Sequence, residues 1–235
     1  MYQDLTSRFI QLLQLKQAPV GLAFVETLPE GVARTQRRVP SACTFWRLAE
    51  QGVFYATAED HQQCPIGMLT MGFPMQAETQ QFAQTVVQTM ADVEYFSPAE
   101  VSALPVVKKP HQNIVYGRLD QFPGQVDVIL CILETQQAML VAEALGNTDW
   151  LQAGGQSVFG RPTCAVIPRT LTTGTTSMSF GCVGARTYIG LTSSELVLTL
   201  PGSQFPKLVE RLATIVAANR ALVPFHQGQK EKFSA

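Results

Sequence analysis

The chain has 235 residues, of which 46% are hydrophobic and 15% charged, with a formal net charge of −1. A chain of this length buries a sizeable core without disulfide or metal staples, and it is too apolar to be disordered. Near-neutrality gives no long-range field to favour nucleic acid or an anionic membrane, and no run approaches the ~18 apolar residues of a membrane span.

The N-terminus shows no basic segment followed by an apolar stretch and cleavage site, so a cytoplasmic protein is expected. The low charge fits a surface partly covered in a homo-oligomer. In chain order, the spacing of Leu5, Phe9, Leu12 and Leu13 predicts an amphipathic helix over 4–17, stopped by Pro19. Val20–Val25 reads as a short buried strand, ended by Leu28-Pro-Glu-Gly31. Cys43–Glu50 reads as a helix stopped at Gly52, Val53–Thr57 as a strand, and Ala58–Gln63 as a polar loop leading to Cys64. Residues 78–91 form a long helix with Phe82, Val86, Val87 and Met90 on one face. Ser97-Pro-Ala-Glu100 is a capping box with proline at the first helical position. The run 105–112 reads as extended linker.

The second half opens with strand 114–118 and, after the turn Phe122-Pro-Gly-Gln125, the strand Val126–Leu133. Gln136–Leu145 is a helix closed by Gly146-Asn147. A Gly154-Gly155 loop, a helix from about Cys164, a small-residue stretch Thr172–Gly190 and the strand Glu195–Leu200 follow. A last helix over 204–220 carries Leu208, Leu212, Ile215 and Val216 on one face, and the tail 227–235 is expected to be flexible. Strands interleaved with helices predict an α/β or α+β protein with one compact domain over 1–226.

The cysteines carry the functional signal. Their number is five, odd and poorly suited to a disulfide framework in a reducing compartment. Two segments share one layout: Cys43 opens a helix and is followed by Cys64, Gly67 and Gly72, while Cys164 opens a segment followed by Cys182, Gly184 and Gly190. This predicts a degenerate duplication with halves 1–105 and 112–226. A pseudo-twofold axis would bring Cys43, Cys64, Cys164 and Cys182 together, with Gly67 and Gly184 turning backbone amides toward a cofactor. Four thiolates suit zinc or an iron–sulfur cluster, although neither pair has C-x-x-C spacing. Cys131, inside an apolar strand, reads as core.

Two rival readings stay open. Cys64 is a candidate nucleophile with His61, three residues before it, as base, Glu59 and Asp60 holding the imidazole, and loop amides at Gly67 and Gly184 as oxyanion donors. Alternatively the chain binds a small ligand or a tetrapyrrole in a pocket of Phe, Met and glycine loops. A small molecule or a protein is the expected partner, with no nucleic acid. No G-x-x-x-x-G-K-[ST], H-E-x-x-H or G-x-S-x-G pattern occurs, so no nucleotide site is expected.

Ala42-Cys-Thr-Phe-Trp46, Glu59-Asp-His-Gln-Gln-Cys-Pro-Ile-Gly67 and Phe180-Gly-Cys-Val-Gly-Ala-Arg186 together resemble the DUF169 family of bacterial and archaeal proteins. So do Pro19-Val-Gly-Leu and Val126-Asp-Val-Ile-Leu followed by Gln137-Ala-Met. The resemblance covers roughly 5–220. It implies that one family unit spans the chain and carries no mechanism with it.

Overall fold

Alternation of apolar side chains makes each strand two-faced, and here both faces are buried. The computed structural model describes residues 2–146 and 157–233. Its strands are β1 (Val20–Val25), β2 (Phe54–Thr57), β3 (Asn113–Arg118), β4 (Val128–Glu134), β5 (Ser157–Phe159), β6 (Ser177–Ser179) and β7 (Glu195–Pro201). Its α-helices are α1 (Tyr2–Leu13), α2 (Thr44–Ala49), α3 (Pro65–Met71), α4 (Ala77–Asp92), α5 (Pro98–Ser102), α6 (Thr135–Ala144), α7 (Val166–Thr173), α8 (Val183–Ile189) and α9 (Phe205–Glu231). One sheet runs in the order β2-β3-β1-β4-β7-β6-β5, antiparallel except for the β5–β6 pair.

Leu22, Phe24, Tyr116, Leu130 and Val197 face a layer made by α2, α3, α7 and α8. Ala23, Val115, Ile129, Cys131 and Leu198 face the opposite layer of α1, α6 and α9. Helices on both faces of this largely antiparallel sheet make the chain a mixed helix-and-strand protein of three layers, within the expected α/β or α+β class. Phe45 and Trp46 fill the first layer and Phe9 and Phe205 the second, all essentially excluded from water. Each such side chain contributes roughly 1.5–3 kcal/mol of hydrophobic stabilisation.

The sheet repeats itself. Exchanging β1 with β4, β3 with β7 and β2 with β6 maps the strand order onto itself about an axis between β1 and β4. Strand register obeys the same exchange. Equating Val20 with Val128 and Leu22 with Leu130 converts the pair Val20↔Leu130 into Leu22↔Val128, and both are present. Leu22↔Tyr116 then corresponds to Leu130↔Thr199, and Phe54↔Tyr116 to Ser177↔Thr199. Even β5 has a counterpart: the parallel pair Val158↔Met178 matches an isolated parallel bridge between Arg34 and Tyr55. Under this exchange α2 corresponds to α7 and α3 to α8. The duplication expected from the cysteines is therefore also written into the sheet. Its boundary differs from the expected one, because β3 follows the 105–112 connection yet pairs with β1 and β2. The halves divide between β3 and β4. Helices α4 and α5, inserted between α3 and β3, have no counterpart in the second half.

Several local expectations shift. The first helix ends at Leu13, where Gln14 takes a left-handed conformation (φ 54°). The last helix continues through Pro224 to Glu231, so 227–231 is helical rather than a loose tail. The stretch after Gly174 resolves into β6 and α8. Asn147 and the Gly154-Gly155 loop lie outside the described residues.

Gly72 and Gly190 close α3 and α8 with φ of 78° and 65°. A β-carbon at Gly72 would also press on the backbone carbonyl of Val107, whose own N–H donates to the Thr70 carbonyl at 2.9 Å. Gly72→Ala is expected to destabilise the protein by more than the roughly 1–2 kcal/mol of the left-handed conformation alone. Gly190→Ala has nothing within 4 Å to meet and should show only the conformational penalty. Chemical denaturation of the two variants measures the difference.

Candidate functional site

Four loops of the duplicated layer end at helix N-termini, and each carries a cysteine there. Cys43 precedes α2, Cys64 precedes α3, Cys182 precedes α8, and Cys164 sits in the single 3-10 turn that runs into α7. Under the sheet's pseudo-twofold, Cys43 pairs with Cys164 and Cys64 with Cys182. All four line one cavity of about 470 Å³. Cys131 lies on the other face of the sheet, buried in the α1/α6/α9 layer, where burial pushes its thiol up to about 12. The four cysteines expected at a site thus line one cavity, and the one expected in the core lies in the core.

Each sulfur is held by polar neighbours. The backbone N–H groups of Ala42 and Gly67 lie near enough to Cys64 Sγ to favour its charged form. Gly67 permits this approach, since a β-carbon there would lie 2.6 Å from the Ala42 side chain and 2.9 Å from the Cys64 sulfur. Cys182 Sγ accepts from the Ala185 amide at 3.4 Å, and the Cys182 amide donates to Thr163 Oγ1 at 2.6 Å. Ser41 Oγ is 2.9 Å from Cys43 Sγ, and the Thr70 hydroxyl, which donates to the Gly67 carbonyl at 3.1 Å, works against the rise of the Cys164 thiol. Gly184 lines the cavity beside Cys182, whereas Gly67 stands behind Cys64 and offers its amide.

Electrostatics tie the four together. Burial pushes the Cys43 thiol up to about 12, with Cys64 and Cys182 raising it further against the lowering bond from Ser41. Burial also raises Cys64, opposed by its two amide donors and reinforced by Cys182. Cys164 is lifted well above the ordinary thiol range by burial and by its three neighbours Cys64, Cys182 and Cys43. Four negative sulfurs in this space would repel one another unless a cation neutralised them.

His61 takes no part in the cavity. It is buried against Phe45, Phe73 and Tyr116, with Nδ1 2.7 Å from the Thr57 carbonyl and Nε2 3.0 Å from the Tyr116 hydroxyl. A carbonyl only accepts, so Nδ1 carries the proton and Nε2 accepts from Tyr116. Both nitrogens are thus engaged away from Cys64, and the expected Cys64–His61 pair does not form. Nor do Glu59 and Asp60 hold the imidazole: they bind Arg34, at 2.7 and 3.0 Å. What His61 does is anchor the cysteine turn, its carbonyl accepting from the Cys64 amide at 2.9 Å.

The remaining walls escaped the sequence reading. Phe82, Val86 and Met90 of α4 face the cavity instead of the core, joined by Tyr95, Phe96, Arg161 and Tyr188. A helix stripe reads the same whether it faces a core or a cavity, and Arg161 carries no local pattern at all.

A two-sided sheet whose duplicated halves aim four cysteine-bearing helix ends into one cavity defines the class: a thiol-lined, small-molecule-sized site at a pseudo-twofold. The chain belongs to the DUF169 family, described as uncharacterised ArCR, whose model matches residues 8–211. It is also similar to an uncharacterised protein of Methanocaldococcus jannaschii, 27% identical over 218 residues that cover 87% of this chain and 91% of that protein. No solved structure matches at a significant level. No helix among the described residues is long and apolar enough to cross a membrane.

Proposed function

We propose that this protein holds an iron–sulfur cluster on Cys43, Cys64, Cys164 and Cys182 and acts in electron transfer or cofactor handling. The observation that carries this reading is selective convergence. The four cysteines that open helices meet in one cavity, while Cys131 is turned to the other side of the sheet. A cluster supplies the positive charge that would offset four thiolates in one cavity. Amide donors such as those of Gly67, Ala42 and Ala185 are the groups that tune such a centre.

Zinc is the rival centre: a single tetrahedral ion would draw all four sulfurs to about 2.3 Å from one point. A cluster distributes its thiolates over separate iron atoms and accepts a wider ring of sulfurs.

Anaerobic purification, or reconstitution with ferrous iron and sulfide, tests the proposal. Matched iron and acid-labile sulfide at about two to four per chain, with broad visible absorption that bleaches on reduction, is the expected outcome. Reconstituted protein that retains neither, or that carries stoichiometric zinc instead, overturns it.

A further inference from the structure

We infer that the outer part of the cavity is a binding site for a planar aromatic anion of small-molecule size. The case begins with α4, a helix of 16 residues in which Thr79 is the one residue counted as buried. Its apolar stripe, Phe82, Val86 and Met90, is the kind of face that a folded chain ordinarily packs against a core. Here it lines a cavity instead, and Phe82 remains 45% exposed. Val183 and Tyr188 of α8 line the same cavity and are also exposed, at 67% and 49%. Apolar surface left standing on the walls of a cavity marks a ligand site, and the whole cavity, thiol floor included, at about 470 Å³ is on the roughly 300–1,000 Å³ scale of such sites.

The insertion that supplies this wall breaks the twofold of the cysteine-bearing layer. The duplicated scaffold builds the thiol floor from equivalent pieces. Helices α4 and α5 occur once, between α3 and β3, so the cavity above the floor is lopsided and suited to one oriented ligand.

Charge sets the ligand class. The Arg161 guanidinium lies in the wall, 4.7 Å from the centre of the Tyr95 ring and 5.3 Å from that of Phe96. Stacking of this kind holds the plane of the guanidinium fixed and leaves its edge to donate to a planar or tetrahedral anion. Its carboxylate contact, Glu100 Oε1 at 3.4 Å, is long, and the other oxygen of Glu100 is committed to capping the Ser97 amide at 2.8 Å. A ligand with flat apolar rings between α4 and Tyr188, and an acid group on Arg161, satisfies both features.

The test uses metal-free, reduced protein, so a failure of the cluster proposal leaves it unaffected. The probes are anilinonaphthalene sulfonate, a planar aromatic anion, and phenylnaphthylamine, its neutral relative. Both are expected to bind saturably at one site per chain with enhanced fluorescence. Val86→Trp, which fills the wall from a half-buried position, should weaken both by at least about tenfold, and Phe82→Ser should act in the same direction. Arg161→Gln should weaken the sulfonate by about tenfold and leave the neutral probe within about twofold. Unsaturable binding overturns the inference, as does equal loss of both probes with Arg161→Gln. So does loss with Leu222→Ser/Phe225→Ser on the exposed end of α9 while Val86→Trp binds normally.

Discussion

Serine in place of any one of Cys43, Cys64, Cys164 or Cys182 is expected to reduce the iron retained after desalting by at least about tenfold. Outer-shell partners of metal sites already contribute about 10–100-fold in affinity, and a direct ligand should matter no less. The pseudo-twofold sharpens the expectation. Cys43→Ser and Cys164→Ser should resemble each other, as should Cys64→Ser and Cys182→Ser, because each pair occupies equivalent helix ends. Cys131→Ala is the internal control. It removes a buried sulfur from the opposite layer, should lower stability by about 1 kcal/mol, and should leave iron content unchanged. Iron that survives in all four serine variants, or that disappears with Cys131→Ala, removes the cysteines from the site.

The residues that meet were legible because chemistry and backbone geometry coincide there. A cysteine followed closely by glycine and a helix is a short-range pattern, and it occurs twice. Strands β1, β3, β4 and β7 were legible because each carries long apolar runs buried on both faces. Strand β6, Ser177-Met-Ser179, was not. Three residues without branched or aromatic side chains carry no strand signature, and it is the pairing with β5 and β7 that makes them a strand. Helix α8 was hidden by Gly184 and by its closing Gly190, which read as loop from sequence alone. The last helix was expected only over 204–220, yet it runs on through Pro224 to Glu231. The role of His61 was misread for a reason of the same kind. Three residues of separation suggest proximity to Cys64, but its ring is claimed by Tyr116, 55 positions away in the chain, and no local rule reveals that.

That buried ring sets the protein's response to acid. Burial lowers His61 from 6.5 to about 4, and the nearby His111 lowers it too, against the raising influence of the Thr57 bond and of Asp60. Above about pH 6.5 the imidazole is neutral in both folded and unfolded chains, and it contributes no pH dependence. As pH falls through that value the unfolded chain takes up a proton that the folded chain refuses, so stability declines. The decline ends near pH 4, where the folded imidazole protonates as well. At about 1.4 kcal/mol per unit, the loss between these limits is roughly 3 kcal/mol, a large share of the stability of an ordinary domain. His61→Gln, which keeps an acceptor for Tyr116 but does not titrate, should abolish this component. Denaturation of both proteins at pH 7 and pH 4.5, with the carboxylates common to each cancelling, isolates it. The wild-type chain is expected to lose about 2–3 kcal/mol more than the variant, and parallel losses would show that His61 is not the sensor.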